Sequence, residues 1–149
     1  MSKEESIAQE LSKKFPYLQD CIKITRPRRI FLEVDSARLE AVLEYALKNL
    51  GFLHLLSITG LDEQDRLGLI YHLGEDNGVV LNLKTSVLKT HPTIKTITKY
   101  FSGAEIYERE LVDLFGAKVE GLPAGNRYPL TDDWPAGQFP LRKDWKQAS

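Results

Sequence analysis

The sequence predicts an α+β fold, in which helices cover a mostly antiparallel sheet and an extended, proline-rich C-terminal arm follows. Several short runs alternate apolar and polar residues, as in strands with one buried face. Other runs place apolar residues three and four apart, as on one side of a helix. After residue 116 neither period continues. The chain is therefore predicted to divide into an α+β domain, residues 1–116, and an arm, residues 117–149.

The N-terminal segment is predicted to form a helix followed by two short strands. Ser2 and Glu5 have the spacing of a capping box, in which each side chain binds a free amide at a helix start. This predicts a helix over residues 3–15. Alternation around a proline then predicts strands over residues 22–25 and 29–34.

The middle of the chain is predicted to add a second helix, a meander and a third helix. Ser36 is expected to cap the second helix, and Gly51 to end it in the left-handed conformation that glycine tolerates. Pro92 is expected to open the next helix, which ends near Phe101, because proline is accepted in a first turn. Three strand-like runs form the meander: residues 52–59, 67–73 and 79–83.

Composition excludes several classes of site. The chain has 149 residues, one domain's worth, with 20 basic and 21 acidic side chains. A net charge of -1 gives no long-range positive field for nucleic acid or anionic lipid. Because Cys21 is the single cysteine, the chain can form neither an internal disulfide nor a cysteine-only iron–sulfur or zinc site.

The chain also shows no signal for export or membrane insertion. Its apolar runs are far shorter than the roughly 20 residues that span a bilayer. Acidic residues stand near the N-terminus, where a signal peptide is positively charged. We therefore expect a cytoplasmic protein without a direct membrane span.

A further helix is predicted from Gly103 to Phe115. Ser102 and Glu105 again have the capping-box spacing, and Gly116 stands where a left-handed residue ends a helix. Its apolar stripe is expected to fasten the helix to the sheet. The stripe consists of Ala104, Tyr107, Leu111, Leu114 and Phe115.

The polar residues of this helix fall into two groups. Glu105, Arg109 and Asp113 are four residues apart on the opposite side, which predicts a solvated ladder of ion pairs. Glu108 instead projects at the edge of the apolar arc, where an unpaired buried carboxylate is costly. It either lies at the rim of the packed face or pairs with a cation of this chain or another. The candidate cations of this chain are Arg127, Arg142 and Lys143.

The tail has the composition of an interface. It contains four prolines and three glycines, yet also both tryptophans, Trp134 and Trp145. Disordered linkers are poor in aromatic residues, whereas tryptophan, tyrosine and arginine dominate binding energies at interfaces. An extended arm that wraps a partner is therefore favoured over a tail folded back on its own domain.

Three segments carry a family resemblance. Residues 105–116 read Glu-Ile-Tyr-Glu-Arg-Glu-Leu-Val-Asp-Leu-Phe-Gly, residues 128–134 read Tyr-Pro-Leu-Thr-Asp-Asp-Trp, and residues 140–144 read Pro-Leu-Arg-Lys-Asp. In this order and spacing they resemble the signature of the C subunit of respiratory-chain NADH dehydrogenase (complex I). The same module occurs in energy-converting, membrane-bound NiFe hydrogenases and formate hydrogenlyase.

The resemblance implies a non-catalytic subunit of a peripheral arm. A subunit of this kind holds no cofactor and braces a hydrogenase-like large subunit and a small iron–sulfur subunit. The NiFe centre and the iron–sulfur clusters are then held by those partners. The chain is accordingly expected on the cytoplasmic side of the cell membrane, as a peripheral part of a membrane-bound oxidoreductase complex.

Two departures from the complex I pattern bear on the type of complex. Leu122 precedes Pro123 where complex I members usually have histidine. The link over residues 134–144, Trp-Pro-Ala-Gly-Gln-Phe-Pro-Leu-Arg-Lys-Asp, is longer than in complex I and looks more like the hydrogenase-side subunits. The resemblance therefore favours a hydrogenase subunit, with the C subunit of complex I as the alternative.

The resemblance also implies which residues meet the partners. Polar residues of the signature helix are expected to form a network with the arm or the large subunit, and the arm supplies apolar anchors and charged contacts. No residue is expected to bind a metal or cofactor. The predicted interface comprises Glu105, Glu108, Arg109, Glu110, Asp113, Trp134, Phe139, Pro140, Leu141, Arg142, Lys143 and Asp144.

Two other classes of function have weaker support. Paired carboxylates of the signature helix could serve acid–base chemistry, but they radiate around the helix instead of converging. The histidines are scattered and lie in no ligand motif. Basic residues around Pro27 could contact nucleic acid, yet neither neighbouring aromatic residues nor a basic net charge accompanies them.

Overall fold

The computed structural model describes residues 1–147, and the last two residues of the predicted arm, 148 and 149, lie outside the described part. Contacts group the chain into two units. The first unit holds residues 1–59 and 70–85, and the second holds residues 60–69 and the chain from residue 86 onward. The start of an arm at residue 117 stays a prediction.

The predicted α+β class is confirmed. A five-stranded sheet has the strand order β1-β2-β5-β4-β3, and β6 and β7 form a separate parallel pair. In the larger sheet β1 and β2 are antiparallel, while β2 and β5 are parallel. The helices are α1 (Lys3–Lys14), α2 (Ser36–Asn49) and α3 (Ala104–Phe115). The strands are β1 (Ile22–Arg26), β2 (Arg29–Glu33), β3 (His54–Asp62), β4 (Arg66–Gly74), β5 (Val80–Leu88), β6 (Thr93–Lys95) and β7 (Lys118–Glu120).

The core of the first unit follows the sequence periods. Alternate residues of β2, β4 and β5 are buried, and so are the apolar stripes of α1 and α2. Each fully buried large aliphatic side chain contributes roughly 1.5–3 kcal/mol relative to exposure. The buried stripe of α2 consists of Leu39, Val42, Leu43 and Ala46.

Two of the three predictions for the ends of α1 and α2 are confirmed, and one is wrong. The capping box of α1 is confirmed, because Glu5 N donates to Ser2 Oγ at 3.2 Å and Ser2 N donates to Glu5 Oε2 at 2.7 Å. The predicted Ser36 cap is wrong: Ser36 is the first helical residue and Asp35 is the N-cap, without a side-chain hydrogen bond. Gly51 has the expected left-handed conformation, with φ at 77°.

The helix predicted to begin at Pro92 is wrong. Thr93–Lys95 instead forms β6, which pairs with β7 in parallel. Thr93 and Ile94 are β-branched and therefore suit an extended strand. Backbone bonds from Lys118 N to the Pro92 carbonyl and from Thr96 N to the Glu120 carbonyl extend the pairing. The strand partner is distant in sequence, so local spacing did not reveal it.

The helix of the signature segment is confirmed, but its predicted capping box is wrong. Gly103 is the N-cap of α3, and no side chain caps it. Glu105 binds Arg109 instead, at 2.7 Å.

None of the helices in residues 1–147 has the length and the apolar character that a membrane span requires.

α3 packs directly on the backbone of β3 at Gly60. A Cβ atom placed on Gly60 would lie 2.6 Å from the Phe115 ring and 2.9 Å from Leu111. Both side chains belong to the buried stripe of α3. The missing side chain at Gly60 therefore sets how closely the helix approaches the strand.

Replacing Gly60 by alanine is expected to lower the free energy of unfolding by about 1–3 kcal/mol, because the new methyl group overpacks the contact with Phe115. Chemical denaturation measures the change. Gly103→Ala is the control, since a Cβ there meets nothing within 4 Å. Equal stability of the two variants would refute the close packing.

Candidate partner interface

The C-terminal end of α3 is closed by a glycine turn. Gly116 has φ at 74°, and its N–H donates to the Val112 carbonyl at 3.1 Å. Ala117 N donates to the Leu111 carbonyl at 3.2 Å. The bond from Gly116 to Val112 is that of the αL motif, in which a left-handed residue ends the helix.

The arm supplies donors to the carbonyl groups that this turn leaves free. Leu141 N donates to the Leu114 carbonyl at 3.0 Å, and Arg142 Nε donates to the Phe115 carbonyl at 2.6 Å. The last carbonyls of a helix have no partner within it, and a cation is favoured near its negative end. The Pro-Leu-Arg segment thus completes the C-terminal end of α3.

Gly116 also makes room for the arm. A Cβ atom there would lie 2.6 Å from the Phe139 ring and 2.8 Å from Arg142 Nη2. The Arg142 guanidinium carbon lies 4.9 Å from the centre of the Phe139 ring, within cation–π range. Glycine is therefore required at this position for both its backbone conformation and its lack of a side chain.

A second attachment joins the arm to the end of β3. The Asp62 side chain is 1% exposed and accepts hydrogen bonds from Lys89 Nζ at 2.8 Å and from Lys143 N at 2.7 Å. Gln64 N donates to its other oxygen at 2.9 Å. Lys89 also lies 3.4 Å from the Asp144 carboxylate.

These donors keep Asp62 ionised. Burial acts to raise the pKa of Asp62, but the hydrogen bonds from Lys89, Lys143 and Gln64 outweigh it and lower the pKa from 3.8 to about 2. In return, Asp62 raises the pKa of Lys89. The carboxylate thus binds the arm's backbone through a charge-assisted hydrogen bond, which is stronger than a neutral one.

The N-terminal part of α3 binds the start of the arm. Arg109 pairs with Glu105 at 2.7 Å and also donates to the Pro123 carbonyl. A Cβ on Gly125 would lie 2.6 Å from Arg109 Nη2, so the arm's backbone runs close against this guanidinium.

The predicted solvated ladder is wrong at Asp113, which is 7% exposed. Leu130 N donates to its carboxylate at 3.1 Å, and Arg127 Nε lies 3.6 Å away. Arg127 also donates to the Trp134 carbonyl at 2.7 Å. Asp113 therefore binds the arm instead of continuing the Glu105 pair along the helix.

Glu108 is buried, with 1% of the residue exposed, which excludes the rim position, one of the two alternatives that the sequence left open. Its carboxylate accepts hydrogen bonds from Thr96 Oγ1 at 2.6 Å and from Ile97 N at 2.8 Å, donors that are neutral and not the predicted cations. Burial raises the pKa of Glu108 above 4.5, although the bonds from Thr96 and Ile97 act in the opposite direction. Glu108 thus holds the segment after β6 against α3.

The two tryptophans form one cluster in the arm. Their ring centres are 6.0 Å apart with an interplanar angle of 31°. Trp134 Nε1 donates to the Gln138 carbonyl at 2.8 Å, and Trp145 Nε1 donates to Gln138 Oε1 at 3.0 Å. Both side chains are half-buried.

The structure thus brings most of the predicted interface residues together within the second unit. Glu110 and Pro140 are half-buried there, while Leu141, Lys143 and Asp144 are exposed. Contact of these residues with a partner stays a prediction.

Sequence reasoning missed three residues of this region: Asp62, Lys89 and Thr96. Asp62 is 81 positions from Lys143, so no local spacing signalled their contact. Thr96 lies in a run whose pattern indicated only a helix, and Lys89 lies outside every predicted element. Among residues 1–147, no group of three or more histidine, cysteine, aspartate or glutamate side chains is placed to hold a metal ion.

The chain is similar to a known protein family and to several characterised proteins. The pattern of "Respiratory-chain NADH dehydrogenase, 30 Kd subunit" matches residues 32–149. The C subunit of the F(420)H(2) dehydrogenase of Methanosarcina mazei is 35% identical over 95% of this chain and 90% of its own. The beta subunit of the membrane-bound hydrogenase of Pyrococcus furiosus is 26% identical over 98% of this chain and 88% of its own.

A solved structure shares the fold closely. A chain in the structure of the membrane-bound sulfane sulfur reductase, an archaeal respiratory membrane complex, has a TM-score of 0.86 and 29% sequence identity. The similarity covers 97% of this chain and 86% of that one.

Replacing Asp62 by asparagine is expected to lower the free energy of unfolding at neutral pH by about 2 kcal/mol, since a pKa depressed from 3.8 to about 2 stabilises the ionised folded form. This contribution is present above pH 3.8 and is lost as the pH falls towards 2. Denaturant titrations across that range measure it. A difference from the wild type that does not shrink on acidification would contradict this role.

Replacing Glu108 by glutamine is expected to retain the fold. It should also remove the fall in the free energy of unfolding that Glu108 causes in the wild type between acid and neutral pH. Because burial raises its pKa, Glu108 adds stability below pH 4.5 that is lost as the pH rises through the folded-state pKa. Glutamine removes this dependence but keeps an acceptor for Ile97 N. Unfolding curves of both proteins at several pH values measure it.

The control for that series is Glu108→Ala, which leaves the buried Ile97 N–H without its acceptor and is expected to cost about 1–3 kcal/mol. Parallel pH profiles of the wild type and the glutamine variant would show that Glu108 does not titrate as its burial requires.

Proposed function

Because the chain belongs to the family of the 30 kDa subunit of respiratory-chain NADH dehydrogenase, we propose that it is a non-catalytic scaffold subunit of a membrane-bound, complex I-like oxidoreductase. In this role it braces a hydrogenase-like large subunit and a small iron–sulfur subunit. The NiFe centre and the iron–sulfur clusters are held by those partners, and electron transfer there is coupled to ion translocation.

The observation that carries the scaffold role is the attachment of the arm to α3 and β3. Hydrogen bonds from Leu141, Arg142 and Lys143 hold its backbone in one conformation. A surface that is already ordered loses less entropy when it docks. The attached arm therefore supports rigid docking rather than folding upon binding.

Exposed apolar side chains on α3 and the arm offer a partner area to bury. Ile106 on α3 is 47% exposed, and Tyr128 and Leu141 of the arm are 43% and 50% exposed. Apolar and aromatic anchors of this kind supply much of the binding energy at interfaces.

A NiFe hydrogenase is the complex that we propose first. The similarity to the Pyrococcus furiosus hydrogenase protein extends over 98% of this chain, and the Trp134–Asp144 link resembles the hydrogenase-side form. The 35% identity to the F(420)H(2) dehydrogenase protein favours a dehydrogenase as the second candidate, a class that includes complex I with its C subunit. In either case we place the chain on the cytoplasmic side of the membrane.

A tagged form of the chain, purified from native membranes in mild detergent, is expected to bring down a large NiFe-type subunit and a small iron–sulfur subunit. Mass spectrometry identifies the partners, and hydrogen-dependent dye reduction tests for a hydrogenase. Oxidation of F420H2 or NADH in the same fraction would instead indicate the dehydrogenase. Elution of the chain alone would refute the scaffold role.

Replacing Leu141 by aspartate is expected to reduce recovery of the partners about tenfold or more, since a charge replaces an apolar side chain that the proposed interface buries. Its backbone bond to Leu114 remains, so the isolated chain should melt as the wild type does. Leu88→Asp is the matched control, with the same 50% exposure outside the arm. Equal loss in both variants would remove Leu141 from the interface.

A further inference from the structure

We propose that a groove in the arm receives one acidic side chain of a partner subunit, whose carboxylate binds the guanidinium of Arg142. The inference rests on the proposed function and deepens it, because it names the chemistry that the partner presents. The groove is open and encloses about 250 Å³. It is lined by Gly137, Gln138, Phe139, Arg142, Asp144, Trp145 and Lys146.

Arg142 is already held in the position that such a contact requires. Its Nε donates to the Phe115 carbonyl at 2.6 Å, and its guanidinium lies 4.9 Å from the centre of the Phe139 ring. Its Nη1 and Nη2 groups have no hydrogen-bond acceptor within residues 1–147. A fixed guanidinium with free terminal N–H groups can bind a carboxylate through two parallel hydrogen bonds.

The charges of the lining favour an anion. Arg142 and Lys146 supply two cations, and the exposed Asp144 supplies the opposing carboxylate. Lys89 lies 3.4 Å from Asp144 but also pairs with Asp62, so the lining is counted by its own side chains, which carry two positive charges and one negative charge. The groove therefore retains positive charge that the described residues do not neutralise.

The size and the walls of the groove favour one protein side chain. Its volume lies below the roughly 300–1,000 Å³ of pockets for drug-sized molecules. Phe139 and the half-buried Trp145 give it aromatic walls, and Trp145 is fixed by its bond to Gln138 at 3.0 Å. These features favour a protein carboxylate over a lipid phosphate.

Carbodiimide cross-linking of the complex in native membranes tests the proposal, because this reagent joins a lysine amine to a carboxylate in contact with it. We expect Lys146 to be joined to an aspartate or glutamate of a partner subunit. In the matched variant Lys146→Arg the cross-link should disappear while the partners are still recovered, since the charge remains. Lys146→Glu should reduce partner recovery at least about tenfold.

The outcomes separate the groove from the scaffold role. If the wild-type chain recovers its partners but Lys146 is joined only to carboxylates of this chain and Lys146→Glu has no effect, the groove proposal fails and the scaffold role stands. If the wild-type chain recovers no partners, the scaffold role itself fails. If the isolated chain binds phosphatidylglycerol vesicles and Lys146→Glu abolishes that binding, the occupant is a lipid phosphate and the proposal is overturned.

Discussion

The free carbonyl groups at the C-terminal end of α3 are the constraint on which the second unit depends. A helix cannot satisfy its own last carbonyls, and burial beside β3 makes unpaired ones costly. Gly116 turns the chain, and Leu141 and Arg142 return to donate to the carbonyls of Leu114 and Phe115. The arm is therefore part of the helix's hydrogen bonding, and its position follows from that of α3.

The pKa values of two buried carboxylates in this unit shift in opposite directions. Asp62 meets the cation Lys89 as well as backbone donors, so the pKa is lowered to about 2 and the charge persists. Glu108 accepts hydrogen bonds from the neutral donors Thr96 and Ile97, and burial, together with the nearby charge of Glu105, raises its pKa. The charge on the donors thus decides whether their hydrogen bonds outweigh the effect of burial on the pKa.

These attachments bear on the docking role that we propose for the proline-rich arm. The arm's backbone is bound at Asp62, Asp113 and the end of α3, while side chains such as Leu141 remain exposed. Binding energy from those side chains is then not spent on ordering the backbone. The same attachment holds Arg142 in place, which links the closure of the helix to the proposed recognition of a carboxylate.

The sequence by itself determined the fold class, the helices α1 and α3, the glycine turn at Gly116 and the family signature, because these depend on local periods and short spacings. It did not determine the strand Thr93–Lys95, whose pairing with β7 requires a segment more than 20 residues away. Nor did it reveal that Glu108 would meet Thr96, or that Asp62 would bind Lys143. Only the tertiary structure decided these contacts, because a polar group's partner depends on which distant backbone passes beside it, and residue spacing carries no record of that.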